Sequence, residues 1–213
     1  ALVETGHIEE ARRIFEELDF SRVQNATAYG LLTAFGYALL QVDPQRGLDT
    51  MEEAALSYPE QRIPEGDRRL LETYLVMDRP AAARRLVMEL AARARENPAD
   101  APHLIEAAIL WGDYLYGKGD YRAAADAFSL AIEAAERAIP GETTPQNDPR
   151  WAKYQRANAL LALSDFNGSI PLFQEVAASD APWAAEAGIK ADYARLEQRR
   201  RGIVEFSAPG REG

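Results

Sequence analysis

The sequence predicts an all-α protein, an α-solenoid of antiparallel helix pairs, and three observations carry that prediction. A column of residues recurs at +4, +3 spacing: Ala11/Phe15/Leu18, Gly47/Met51/Ala54, Ala83/Val87/Leu90, Ala124/Phe128/Ala131 and Ser169/Phe173/Val176. Residues four and three apart share one helix face, so each column is a packing stripe. Successive copies start 36, 36, 41 and 45 residues apart, a helical period nested in a repeat the length of a helix pair. No stretch of any length shows the strict alternation of a half-buried strand.

The elements follow in order from the breakers. Ala1-Leu2-Val3-Glu4-Thr5 reads as the tail of a helix whose first turns are absent, so the chain is expected to be a piece of a longer protein. The second helix of this partial first copy (1–22) spans about His7 to Leu18. Copy two (25–60) holds its helices between Asn25 and Ser57, with a turn at Asp43-Pro44. Proline lacks an amide hydrogen and clashes with the preceding turn, so Pro59 and Pro64 bracket a loop and Pro80 starts the second helix of copy three (63–98). Asn97 to Pro102 separates it from copy four (102–140), whose second helix is expected from Asp120 to Ile139. Residues 140–149, rich in proline, glycine and threonine, read as an inserted loop before copy five (148–180). A last helix, 181–201, caps the single repeat domain 1–201. Trp183, Ile189, Tyr193 and Leu196 are expected to face the last repeat, with Glu186, Lys190, Glu197, Gln198 and Arg199-Arg200-Arg201 outward. A tail, 202–213, carries apolar Ile203-Val204-Phe206 and is otherwise expected to be disordered.

Composition narrows the function classes. The 213 residues, 47% hydrophobic and 27% charged, can build a sizeable core. A net charge of −10 gives no basic stripe for nucleic acid, and no apolar run approaches the ~20 residues that cross a bilayer. The absence of cysteine removes disulfides, thiol nucleophiles and thiolate metal sites. It leaves the compartment open, the cytoplasm being favoured unless a targeting segment has been removed. Gly6, Gly36, Gly112 and Gly119 lack the following Lys-Ser/Thr of a phosphate loop and read as packing or turn glycines. His7 and His103 fall in different copies, and neither has a second histidine or a nucleophile at helical spacing, so neither metal, cofactor nor catalysis is expected.

The fourth copy, with Trp111, Gly112, Leu115, Gly119, Tyr121, Ala124, Phe128 and Ala131 in order, resembles the tetratricopeptide repeat family. The fifth matches through Ala157, Leu160, Phe166, Ser169, Phe173 and Val176. The second matches through Phe35, Gly36, Leu39, Gly47, Met51, Ala54 and Pro59, one residue short in its turn. The third keeps Tyr74, Pro80, Ala83, Val87 and Leu90 but lacks the small residue of its first helix. The resemblance spans nearly everything up to Arg201. It implies a right-handed superhelix that binds a protein or peptide segment in a groove lined by the first helix of each pair.

Carried over by position, the groove residues are Tyr37, then Arg68, Arg69 and Glu72, then Asp113 and Tyr116, then Trp151, Tyr154, Gln155 and Asn158. Thr33 and Ile109 lie beside them. Thr33, Tyr37, Glu106 and Asp113 stand where relatives that clamp a chaperone's C-terminal carboxylate carry basic and amide residues, which disfavours that ligand. The expected function is a non-enzymatic scaffold for a protein or peptide partner. A regulatory module of a larger protein and an accessory fragment of an enzyme are the alternatives. Ile8, Ala11, Phe15 and Leu18 form a stripe with little ahead of it to cover it, so self-association through the N-terminal edge is also expected.

Overall fold

Proline and aspartate set where the helices begin. The computed structural model describes residues 22–138 and 147–207 (side chains to Gly202), together with Glu10, Arg13, Phe15 and Glu17. These residues form nine α-helices: α1 (Asn25–Leu39), α2 (Pro44–Ser57), α3 (Pro64–Val76), α4 (Pro80–Glu96), α5 (Ala101–Gly117), α6 (Tyr121–Arg137), α7 (Pro149–Ala162), α8 (Phe166–Ala177) and α9 (Ala184–Ser207). Among the described residues there is no strand. Proline opens α2, α3, α4 and α7, where its missing donor is one the helix would leave unpaired anyway. Asp43, Asp120, Asp148 and Asp165 cap α2, α6, α7 and α8, each accepting a first-turn amide at 2.8–3.1 Å.

Three helix ends share one turn. Arg79, Asp120 and Asp165 donate their amides to the carbonyls of Tyr74, Leu115 and Leu160 at 2.7, 3.0 and 2.8 Å, closing α3, α5 and α7. The residue before each donor is left-handed: Asp78 at φ 54°, Gly119 at 80° and Ser164 at 64°. The α1–α2 connection, where the repeated column is one residue shorter from Gly36 to Gly47 than from Gly112 to Ala124, has no left-handed residue; Asp43 instead donates to Leu39 at 2.7 Å. Only one of the three left-handed positions holds glycine. Ser164→Gly is therefore expected to stabilise the fold by about 0.5–1 kcal/mol, the relieved Cβ strain exceeding glycine's extra chain entropy. Urea unfolding reads this directly, and a lower midpoint would contradict it.

Two compact units divide the chain, 1–83 and 84–213, the boundary falling within α4. In the first, Met51 and Ala54 of α2 are buried, and Gly36 and Gly47 bring α1 and α2 into backbone contact. A Cβ on Gly47 would lie 2.6 Å from the Gly36 carbonyl oxygen. Phe15, central to the first copy of the column, stacks on Phe35 at 4.1 Å between ring centres. The rest of that stripe, Ala1–Thr5, most of the 140–149 loop and the end of the tail lie outside the described residues. So does the covering of the N-terminal edge.

In the second unit each helix packs on its neighbours in sequence: α5 on α6, α6 on α7, α7 on α8 and α8 on α9. That connectivity is a solenoid's. Phe128 and Phe173, the aromatic residues of the last two columns, are wholly buried as expected. α6 stops at Arg137, short of Ile139, because Ala138 turns to extended backbone at ψ 141°. The last helix corrects the sequence reading twice. It continues to Ser207, past the expected end at Arg201. Its packing face is Ala187, Ala191 and Ala194, whereas Ile189, Tyr193 and Leu196 are 71%, 53% and 55% exposed. Alanine lets α9 approach α8 closely, a Cβ on Gly188 falling 3.8 Å from that of Ala177, and a bulky residue would hold the helices apart.

Candidate functional site

The first helices of successive pairs are cross-linked by side chains within each unit. In the first unit Arg69 of α3 lies over the half-exposed ring of Tyr37 on α1, 4.7 Å from its centre. Glu65 holds Arg69 at 2.9 Å and Arg68 at 3.7 Å, and Glu72 meets Arg68 at 3.5 Å, one and two turns along α3. These are solvated i, i+3 and i, i+4 pairs that align the basic residues without locking them. Thr33, also on α1, is buried.

In the second unit the cross-links form one chain over three helices. Gln155 of α7 donates through Nε2 to Oδ1 of Asp113 on α5 at 3.0 Å, and its Oε1 accepts from Asn158 Nδ2 at 2.9 Å. Asn158 Oδ1 accepts from Lys190 Nζ on α9 at 2.8 Å. Lys190 also donates to the Tyr154 hydroxyl at 2.7 Å, and that hydroxyl donates to Glu186 Oε1 at 2.5 Å. Glu186 and Lys190 pair at 3.1 Å, one turn apart. Every polar end of Asn158 is thus used, which is why it tolerates 8% exposure.

Electrostatics follow the same geometry. Burial pulls the Lys190 ammonium down, but hydrogen bonds and charge from Tyr154 and Glu186 more than offset it and leave it above the usual lysine value. Burial, helped by Glu186, raises the Tyr154 phenol, while the Tyr154 hydroxyl and Lys190 lower the Glu186 carboxyl. Asp113 differs. Burial raises its carboxyl, only the neutral donors Gln155 and Trp151 oppose that, and among the described residues no cation sits on it.

Of the ten groove residues read from sequence, Asp113, Tyr154, Gln155 and Asn158 join this network, and Trp151 adjoins it. Trp151 stands 5.6 Å from Tyr154 and edge-on to Trp183 at 5.1 Å, between ring centres. Tyr116, one turn after Asp113, meets Tyr121 edge-on at 5.1 Å. Tyr154 and Asn158 do not lie open as the sequence suggested; at 4% and 8% exposure they are closed over by α9, whose Lys190 and Glu186 satisfy them. Ile109 is likewise in the core. The sequence pattern places Lys190 and Glu186 on the outer face of the cap, and the signal that they act together is their i, i+4 spacing. Among the described residues no cluster of three metal-ligating side chains occurs, and no helix is long and apolar enough to cross a membrane.

Against known proteins, no family model matches the chain and no curated protein does. Among solved structures, the chain described as MamA MSR-1 C2 is similar at 16% identity and a TM-score of 0.47, over 82% of this chain and 88% of that one.

Proposed function

We propose that the chain is a tetratricopeptide-type repeat module that binds a protein or peptide segment without catalysis. In the second unit the segment lies along the first helices of the pairs, α5 and α7. Support for the repeat type comes from the in-phase column, the glycine–aromatic contact at its centre and the shared left-handed turn. The observation that carries the binding role is Asp113. A half-buried carboxylate held only by neutral donors works against stability, and such a residue is a binding candidate rather than a packing one. Tyr116, on the same face one turn along, and Trp151 flank it with aromatic surface. The arrangement accepts an arginine or lysine side chain of an extended partner, the cation completing the carboxylate and its stem lying on the rings.

The test begins with selection of binders from a peptide library on the immobilised protein, followed by titration calorimetry. Arginine- or lysine-containing peptides are expected to dominate. Asp113→Asn should weaken them about ten-fold or more, the loss of one charge-assisted bond of ~1.5–3 kcal/mol. The sign for stability is opposite. A carboxyl raised by burial favours the folded state when protonated and opposes it when charged, so removing the charge should hold or raise the melting temperature. Binding should also fade as pH drops through the raised value. Selected peptides without a cation, or indifferent to Asp113→Asn, would overturn this reading.

A further inference from the structure

The outer face of α9 presents Ile189, Tyr193 and Leu196 at +4, +3 spacing, all more than half exposed, directly opposite the alanine face that packs on α8. Three large apolar side chains in one stripe are not scattered surface residues; a contiguous patch of this kind marks an interaction site. Their +4, +3 spacing is that of successive core positions in a two-helix seam.

Charge selects the occupant. Over 184–194 the helix carries Glu186 and Asp192 against Lys190; over 195–201 it carries Arg195, Arg199, Arg200 and Arg201 against Glu197. On the flank of the stripe away from Tyr154 stand Asp192 near one end and Arg199, two turns on, near the other. A second α9 laid parallel would set arginine against arginine. Laid antiparallel about a two-fold axis between Tyr193 and Leu196, it sets these two against each other across the seam and leaves Ile189 at its edge beside Arg200 of the second copy. It also brings Asp192, held on its own helix only by the exposed i, i+3 pair with Arg195 at 2.9 Å, beside Arg199 of the second copy, twice by symmetry. Lys190 and Glu186 do not compete, because they are held on the other flank by Asn158 and Tyr154.

We infer that this face is a self-association surface, through which two copies of the chain pair antiparallel along α9. One helix pair buries less than the ~800 Å² per partner of a standard interface, so the dimer is weak and concentration-dependent.

Sedimentation equilibrium of the full chain from about 1 µM to about 1 mM is expected to show a reversible monomer–dimer equilibrium. Leu196→Glu and Tyr193→Glu should each weaken it at least ten-fold, with helicity and melting temperature unchanged because both side chains are exposed. Asp192→Arg should weaken it too, and adding Arg199→Asp should restore it. A strict monomer over the whole range overturns the second copy as occupant and leaves a helix of another protein to cover the stripe. A dimer indifferent to Leu196→Glu overturns this face in favour of another, the N-terminal edge included. A charge swap that fails to restore pairing overturns the antiparallel arrangement.

Discussion

Replacing Phe128 by alanine is expected to destabilise the protein by about 3–5 kcal/mol, the transfer term of a fully buried ring plus the cavity it leaves. The ring has no exposed surface, and it fills the space vacated by a missing side chain on the facing helix. A Cβ on Gly112 would lie 2.6–2.8 Å from three of its carbons. The neighbours Ala124 and Ala131 are too short to collapse inward. Gly112→Ala alone should also destabilise, because the ring is rigid and enclosed and must shift to admit a methyl. The two changes should not add: in Phe128→Ala the new methyl enters the cavity, so the double variant should be less damaged than the sum. Urea unfolding of the four proteins measures the coupling. A loss under about 1 kcal/mol for Phe128→Ala, or strict additivity, would mean that ring and glycine do not meet.

That contact was legible in the sequence because helix pairing needs a small residue opposite a large one at fixed spacing, and both recur. The unusual turn of copy two was legible for a similar reason. A deletion between Gly36 and Gly47 shows as a shift of the column, and the structure answers with an α1–α2 turn that lacks the left-handed residue. The face of α9 was not legible. Reading large apolar side chains as core is sound where helices stand apart, but α9 packs through Ala187, Ala191 and Ala194, residues too common in this chain to signal anything. The network around Tyr154 was half legible. Position pointed to Tyr154, Gln155 and Asn158, yet the groups that enclose two of them come from a helix about 30 residues further on, at a register no local pattern sets.

A second large effect is expected where no repeat pattern points. Arg62 and Asp67 straddle the start of α3, with Arg62 Nε and Nη2 both 2.7 Å from Asp67 Oδ1 and side chains only 8% and 4% exposed. The first turn of a helix favours the carboxylate, and Pro64 fixes the backbone that brings the two together. Desolvating two charges offsets most of their attraction, so the pair adds little net stability, but taking away one member leaves the other charge buried with this counter-charge gone. Asp67→Ala is expected to cost about 3–5 kcal/mol, and the paired change Arg62→Met with Asp67→Leu much less. Tyr29 supplies an independent readout. Its hydroxyl lies where a Cβ on Gly66 would fall, 2.1 Å away, and its phenol is raised first by burial and then by the charge of Asp67. A group raised on folding stabilises the fold fully below its unfolded value, near pH 10 for tyrosine, and loses that contribution as pH climbs through the folded one. Removing Asp67 should bring the Tyr29 titration down, seen as tyrosinate absorbance appearing at lower pH in the still-folded protein. If Asp67→Ala melts like the parent and leaves the titration in place, the pair is solvated and the account of this corner is wrong. If the single variant is strongly destabilised and the apolar pair recovers most of the loss, the pair specifies how α3 starts, and the stability of that corner rests on packing.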